Sequence, residues 1–201
     1  MKRIIKLIII VPYRALKNSY YFVYNFLMLR INAVSFNSMP KINGKLLIVN
    51  NGSCHLGDNV IFNSSLESNL VGLYKQSTIA VKKNAKLIIK NDTGFSGVSI
   101  FCESSIEIGK FCNFGGNVAI WDTDFHPIDY KLRRKGFEST KTAPIIIGDD
   151  VFIGANSIIL KGVTIGDRSI IGAGSVVTKN IPNDEIWAGN PIKKIRNIES
   201  Y

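Results

Sequence analysis

Six-residue repeats predict that this chain is mainly β and folds as a parallel β-helix. A large aliphatic residue recurs at positions 147, 153, 159, 165, 171 and 177. No α-helix has that period, whereas six is a multiple of the two-residue alternation of a strand, so each repeat keeps one set of side chains inward. Gly, Asp and Asn between the repeats suit tight turns. Stacked coils of this kind bury a continuous column of aliphatic side chains.

The same period occurs earlier in the chain and is interrupted once. It is visible at positions 96, 102, 108, 114 and 120, and position 147 follows position 120 by 27 residues, which is not a multiple of six. We therefore expect a protruding loop at about residues 122–144 that leaves the β-helix and re-enters it in a new phase. A loop of this length on a regular scaffold is where function is usually carried.

The predicted protein has an N-terminal amphipathic helical segment, residues 1–35, followed by a β-helix domain, residues 36–201. Aromatic and aliphatic residues crowd residues 12–34 with basic residues among them, which is typical of one or two helices with a wide apolar face. Such a segment either lies in a membrane interface or covers the open end of the β-helix, and both hypotheses stay open. The apolar run at residues 4–11 is shorter than the ~20 residues that span a bilayer.

The β-helix is expected to begin before the regular repeats. Residues 45–52 and 86–94 are aliphatic strands that end in turns, so we interpret them as early, irregular coils. Residues 66–83 break the pattern and are predicted to form a loop or a strand excursion.

Positive charge is concentrated at the N-terminus. The net charge is +10, and the first 34 residues carry no acid and the following cations: Lys2, Arg3, Lys6, Arg14, Lys17 and Arg30. A basic end on a nearly balanced body is unlike a nucleic-acid groove, so we expect no nucleic-acid partner. Anionic lipid explains the charge, with a solvated lysine face as the alternative. We expect a cytoplasmic protein with peripheral contact to the cytoplasmic membrane face through residues 1–34.

His126 is the candidate general base because it lies in the predicted loop. A neutral imidazole accepts a hydroxyl or amine proton near neutral pH. Asp122 or Asp124 is close enough in sequence to fix its tautomer and to stabilise the imidazolium, and Asp124 is the preferred partner. A lone histidine in a loop is ordinarily a surface residue, so the loop alone leaves this alternative open.

The C-terminal half resembles a known family. Residues 96–196 combine the repeats, a loop with His126 followed by Pro127, the sequence IGAGSVVTKNIP at residues 171–182 and AGNPIKKI at residues 188–195. This combination resembles the hexapeptide-repeat acyltransferases, among them galactoside and maltose O-acetyltransferases and xenobiotic acetyltransferases. The resemblance implies a left-handed β-helix, a homotrimer with active sites between subunits, and acetyl-CoA as cosubstrate.

The resemblance also implies a cofactor site. The residues at coenzyme A-binding positions of the family are Ala155, Ala173, Thr178, Lys179, Lys193 and Arg196. The two alanines stand where backbone groups hold the pantetheine arm and the thioester. Lys193 and Arg196 stand where basic residues meet the nucleotide phosphates, with a solvated basic tail as the alternative.

Acceptor contacts carry over less well, because residues 1–95 do not resemble the N-terminal segment of the sugar acetyltransferases. Phe152 occupies a position that is aromatic in the galactoside enzymes, so we expect it either to floor the acceptor site or to pack in the core. Asn117 and Trp121 precede the loop and are further candidates for the acceptor pocket.

These observations predict transfer of an acetyl group from acetyl-CoA to a sugar hydroxyl in surface polysaccharide biosynthesis, with His126 as base. An N-acetyltransferase of an amino sugar nucleotide would use the same base, and only the acceptor separates the two. A non-catalytic β-helical scaffold would need neither the loop nor the basic C-terminal site. The three cysteines lack metal-ligand spacing and are typical of reduced packing residues. A γ-type carbonic anhydrase needs three zinc-binding histidines, whereas this chain has two. We therefore expect no metal.

Overall fold

Three sheets form the walls of a β-helix in the computed structural model, which describes residues 10–135 and 140–199. Two helices accompany them in the described residues, α1 at Val11–Ile31 and α2 at Tyr130–Lys135. Sheet A consists of β1 Ser35–Phe36, β4 Ser53–Leu56, β7 Lys86–Ile89, β10 Ser105–Ile108, β13 Ile145–Ile147 and β16 Thr164–Ile165. Sheet B consists of β2 Lys41–Gly44, β5 Ile61–Ser64, β8 Gly94–Ser96, β11 Asn113–Gly116, β14 Phe152–Ile153, β17 Ile170–Ile171, β19 Glu185–Ala188 and β20 Lys193–Asn197. Sheet C consists of β3 Leu47–Asn50, β6 Thr78–Val81, β9 Ser99–Cys102, β12 Ala119–Trp121, β15 Ile158–Leu160 and β18 Val176–Val177.

Strands stack at a constant spacing in the regular part of the β-helix. Ile147 pairs with Ile165 and Ile159 pairs with Val177, each in parallel and 18 residues ahead. Every repeat position from 147 to 177 is buried. The residues four positions later are also buried and are small or β-branched: Val151, Ser157, Val163, Ser169, Ser175 and Ile181. The predicted left-handed parallel β-helix is confirmed, with its core along the axis.

The earlier coils are less regular. Their inward column is partly aromatic, with ring centroids 5.0 Å apart for Phe62 and Phe95 and 4.6 Å apart for Phe95 and Phe114. Phe95, rather than Ser96, therefore stacks on Phe114, and the predicted start of the six-residue phase at position 96 is wrong by one residue. The register between β8 and β11 shifts at this point, and such a shift cannot be seen in a fixed period.

The chain makes an excursion at residues 65–77, between β5 and β6. The predicted excursion, residues 66–83, ends too late, because Thr78–Val81 is a strand of sheet C paired with its neighbours on both sides. Residues 45–52 and 86–94 contain β3 and β7, as predicted.

Helix α1 covers the N-terminal end of the β-helix. Pro12 lies in its first turn, where an amide N–H has no partner within the helix. The buried Asn25 side chain donates to the carbonyl of Gly44 at 2.8 Å and accepts from the amide of Leu46 at 3.0 Å. Leu29 packs into the core. The hypothesis of a helical cap is therefore confirmed for this part of the segment.

The structure describes only part of the N-terminal segment. Residues 1–9, with the cations Lys2, Arg3 and Lys6, lie outside the described residues. The proposed boundary between residues 1–35 and 36–201 falls inside β1 and stays a prediction. Within residues 10–135 and 140–199, neither helix has the length and apolar character needed to cross a membrane.

Candidate active site

The loop that carries His126 connects sheet C to sheet A. The chain leaves β12 after Trp121 and enters β13 at Ile145, with α2 between them. An antiparallel bridge between Thr123 and Thr142 joins the two ends of the loop. The loop therefore begins and ends at one corner of the β-helix, the corner between sheets C and A.

Asp122 anchors the start of this loop. Its fully buried carboxylate accepts hydrogen bonds from the amides of Glu103 and Ser104, each at 2.7 Å, and of Ser105 at 2.9 Å. Hydrogen bonds to an ionised acceptor are stronger than neutral ones. The carboxylate is thus committed to the turn of the preceding coil, and of the two aspartates considered as partners of His126, Asp122 is a structural anchor.

The loop and the outer face of sheet C enclose a pocket of about 510 Å³. Its lining residues are Lys82, Phe101, Glu103, Thr123, Phe125, His126, Thr140 and Thr142. The side chain of His126 is exposed to solvent. The pocket therefore presents aromatic rings, a cation, a carboxylate and hydroxyls beside an imidazole, a combination that suits a small polyhydroxylated molecule.

An aromatic cluster sets the position of the residue before His126. Phe125 adopts a φ of 61°, a conformation that is uncommon for a residue other than glycine. Its ring lies edge-on to Phe101 at 4.9 Å and to Trp121 at 5.5 Å. Edge-to-face contacts of this kind are favourable beyond the burial of apolar area. Trp121, predicted to line the acceptor pocket, thus supports the pocket through Phe125.

Asp124 ties the loop to the following coil. Its Oδ1 lies 2.8 Å from Nζ of Lys161, which follows β15. Its carbonyl accepts a hydrogen bond from the amide of His126 at 2.7 Å. Asp124 therefore holds the backbone of His126, while orientation of the imidazole by its carboxylate stays a prediction.

The two other acceptor candidates do not line the His126 pocket of this chain. Asn117 is buried and fastens the excursion at residues 65–77, accepting from the amide of Tyr74 at 3.2 Å and donating to the carbonyl of Gly72 at 3.1 Å. Phe152 is half exposed on sheet B and lines a second pocket of about 510 Å³ beside Asn113. The exposure of Phe152 excludes the alternative that it packs in the core. The hydrogen bonds of Asn117 give this residue a structural role.

Ala155 and Ala173 stack at the corner between sheets B and C. The amide of Gly174 donates to the carbonyl of Ala155 at 2.8 Å. A Cβ atom on Gly154 would overlap the backbone of Ala173, so glycine is required for the close approach of successive coils. The corner consequently exposes backbone and methyl groups, which leaves room for an extended ligand.

Strand β20 adds positive charge beside that corner. It pairs antiparallel with β19 and places Lys193 opposite Ala188. Arg196 is exposed on the same strand, opposite Ile186. Four of the six predicted cofactor residues, the two alanines and these two cations, are therefore grouped on one side of the β-helix.

Thr178 and Lys179 lie at the other edge of sheet C. They follow β18 at the corner between sheets C and A, where the His126 loop also leaves the β-helix. Nζ of Lys179 stands 5.7 Å from the ring centroid of Trp187. The predicted base and cofactor residues are therefore split between two corners of one chain, with the width of sheet C between them.

Lys82, Phe101, Glu103 and Thr142 line the pocket and were missed from the sequence. Lys82 and Glu103 directly follow strands β6 and β9 of sheet C, and this shared position is the signal that could have found them. Phe101 lies between the buried Ile100 and Cys102, so strand alternation already places its ring outward.

Burial makes the cysteines poor nucleophiles. It raises the pKa of Cys54 and of Cys102 to about 12, and that of Cys112 to about 11. All three are free and buried. In residues 10–135 and 140–199, no group of three or more His, Cys, Asp or Glu side chains is arranged to hold a metal ion.

The C-terminal repeats of this chain are similar to those of known proteins. Residues 144–179 match the family model described as the hexapeptide repeat of succinyl-transferase. Protein CapG of Staphylococcus aureus is 50% identical over 92 residues, which are 46% of this chain and 47% of that protein. The chain thus spans about half the length of the curated relatives it matches.

Solved structures share the architecture. A hexapeptide-repeat-containing acetyltransferase from Vibrio cholerae O1 biovar eltor, complexed with acetyl coenzyme A, is 34% identical with a TM-score of 0.52, covering 57% of this chain and 61% of the other. A maltose O-acetyltransferase from Clostridium difficile 630 is 28% identical with a TM-score of 0.58, covering 92% and 86%. The second likeness extends into the N-terminal half, where the sequence showed no resemblance. In its repeats and its fold, the chain is similar to hexapeptide-repeat acetyltransferases.

Proposed function

We propose that this protein transfers an acetyl group from acetyl-CoA to a hydroxyl group of a sugar, with His126 as general base. The observation that carries the proposal is the exposed His126 at a pocket of about 510 Å³ whose walls combine rings, charges and hydroxyls. Aromatic faces and polar groups together are what a sugar ring requires. The acetyl-CoA complex and the maltose O-acetyltransferase among the solved relatives support both the donor and the acceptor class.

The proposed reaction is a direct transfer. A neutral imidazole nitrogen of His126 accepts the hydroxyl proton as the acceptor oxygen attacks the thioester carbonyl. A new C–O bond forms, the C–S bond of the tetrahedral intermediate breaks, and the imidazolium returns the proton to the departing thiolate. No covalent enzyme intermediate is needed, so the protein contributes mainly proton transfer and the alignment of the two substrates.

The position of acetyl-CoA follows from the corner of Ala155 and Ala173. We place the pantetheine arm along this corner and the nucleotide phosphates beside Lys193 and Arg196, since cations bind phosphate strongly. Thr178 and Lys179 lie on the other edge of sheet C and would contact the cofactor of a neighbouring site.

The same division supports assembly of the chain with copies of itself, for which we propose a homotrimer. Because His126 and the alanine corner lie at different edges of sheet C, a complete site needs the loop of one subunit beside the corner of another. Phe152, which lines the pocket on sheet B, would then face the acceptor from the second subunit. A glycan precursor of a surface polysaccharide on the cytoplasmic side is the proposed acceptor, and an amino sugar nucleotide is the alternative.

The test is thiol release from acetyl-CoA with a disulfide reagent, against hydroxylated and amino sugars that are free, nucleotide-linked or lipid-linked. The buried cysteines should not react in the folded protein, because their raised pKa values keep them protonated at pH 8. Release that depends on a hydroxylated sugar supports the proposal. Release with amino sugars alone, together with an acetylated amine in the isolated product, establishes N-acetylation instead.

A scaffold function is tested separately by thermal unfolding with coenzyme A. A ligand that binds only the folded state raises the unfolding temperature by mass action. An unchanged unfolding temperature at millimolar coenzyme A, together with no thiol release from any acceptor, would overturn the assignment as an enzyme.

A further inference from the structure

Helix α1 exposes most of its large apolar side chains. Leu16 and Ile31 are 73% and 72% exposed, and Tyr20, Val23 and Leu27 are each about half exposed. These five residues follow one another at spacings of three or four, so they lie on one face of the helix. The opposite face carries the buried Asn25 and Leu29. The helix is therefore anchored to the β-helix by one side and presents a continuous apolar stripe, from Leu16 to Ile31, to the outside.

A groove lies beside the helix. It has a volume of about 550 Å³ between α1 and β2, and its lining mixes apolar residues, among them Phe22, Val23 and Met39, with polar ones such as Asn18 and Lys41. Exposed apolar residues that are rimmed by polar ones mark an interaction site.

The charges around the stripe identify its partner. Helix α1 contains Arg14, Lys17 and Arg30 and no acid. Lys17 pairs with Glu67, whereas Arg30 lies over the rings of Phe26 and Phe36, and Lys45 lies over Tyr20 and Tyr24. Cations held against aromatic rings at the border of an apolar face are placed where anionic headgroups would meet them.

We propose that the outward face of α1 docks on a membrane surface that contains anionic lipid, with the apolar stripe inserted and the β-helix held in the aqueous phase. A second copy of the helix is the competing occupant, because the apolar spacing also permits helix pairing. Pairing is disfavoured by the absence of any acid on the helix, since two copies would bring only like charges together. The proposal does not depend on the acetyltransferase assignment.

The test is cosedimentation of the full chain with vesicles of phosphatidylglycerol and phosphatidylcholine, compared with vesicles of phosphatidylcholine alone. We expect binding to the anionic vesicles, weakened by raised salt. The double variant Leu16→Glu and Leu27→Glu should bind roughly tenfold more weakly or worse, because both substitutions place a charge in the inserted stripe. Ile195→Glu is the matched control, since this 60% exposed isoleucine lies on β20, the last strand of sheet B, whereas α1 packs at β2, the first.

Point variants are preferable to deletion of the helix, because Asn25 and Leu29 belong to the folded core. Thermal unfolding of each variant checks whether the fold is kept. Arg30→Gln is a second variant for the vesicle assay and removes one positive charge without changing the apolar stripe. Equal sedimentation of wild type and double variant, or no sedimentation of wild type, would overturn the proposal. A change of oligomeric size in the double variant without lipid, combined with unchanged vesicle binding, would assign the stripe to self-association.

Discussion

The regular coils at residues 145–181 and the loop at residues 122–144 are held in place by different means. In the coils every inward side chain is buried, and each of the strands β13, β14 and β15 pairs with a strand on both sides. The described part of the loop is held by the bridge between Thr123 and Thr142, the buried carboxylate of Asp122, the ion pair of Asp124 and the ring contacts of Phe125. Damage to the coils should therefore appear as lost stability, and damage to the loop as lost catalysis.

His126→Asn should give the largest effect and separates the two regions most sharply. Removal of a general base lowers kcat by about 10²–10⁴-fold. The free energy of unfolding should stay at the wild-type value, because the side chain is exposed. Thiol release and urea unfolding measure the two quantities. His55→Asn, which changes a histidine bonded to Ser35 in sheet A, is the control, and equal losses in both variants would refute the role of His126.

Ile147→Ala should show the opposite behaviour. Ile147 is 1% exposed in the core, and truncation of a buried isoleucine costs about 2–5 kcal/mol. Activity per folded molecule should be kept. The adjacent Ile146, 47% exposed on the same strand, provides the control Ile146→Ala, with a much smaller loss expected in urea unfolding. Similar losses of unfolding free energy in the two variants would contradict the prediction that the buried face of sheet A contributes more stability than the exposed face.

Asp122→Asn tests the joint between the regions and should affect both. An amide cannot accept all three amide hydrogen bonds, so we expect a loss of about 2–3 kcal/mol in unfolding free energy. Displacement of the loop start should also lower kcat. Asp129→Asn, in the exposed part of the same loop, should change neither, because Asn also accepts from the amide of Lys131. A normal kcat in Asp122→Asn would show that the loop is positioned by other contacts.

Lys161→Met should give the smallest effect. The side chains of the pair with Asp124 are 28% and 26% exposed, so solvent still screens the two charges and we expect a loss of about 1 kcal/mol in unfolding free energy. A double-mutant cycle with Asp124→Asn measures the coupling in unfolding and in kcat/KM. Coupling in kcat/KM that exceeds the coupling in stability would show that the pair positions His126, and strictly additive effects would show that it does not.

The periodicity of the sequence was sufficient to predict the coils, because buried residues recur there at short, constant spacing along the chain. The inward residues at positions 147 to 177 follow from a six-residue period, and their partners lie at a fixed 18-residue spacing. The period failed at Phe95, where a register shift changes the inward residue without changing the composition. The sequence also placed His126 in a protruding loop, since an interruption in a regular pattern is visible without coordinates.

The sequence by itself determined the repeat, the inward column and the candidate base, because these depend on residues close together in the chain. Only the tertiary structure decided that Lys82, Phe101 and Glu103 share a pocket with His126, since coils of unequal length bring them to one corner. It also decided that Asn117 fastens a loop and that the alanine corner lies across sheet C from His126. Contacts between coils depend on the length of every intervening turn, and no local pattern records that length.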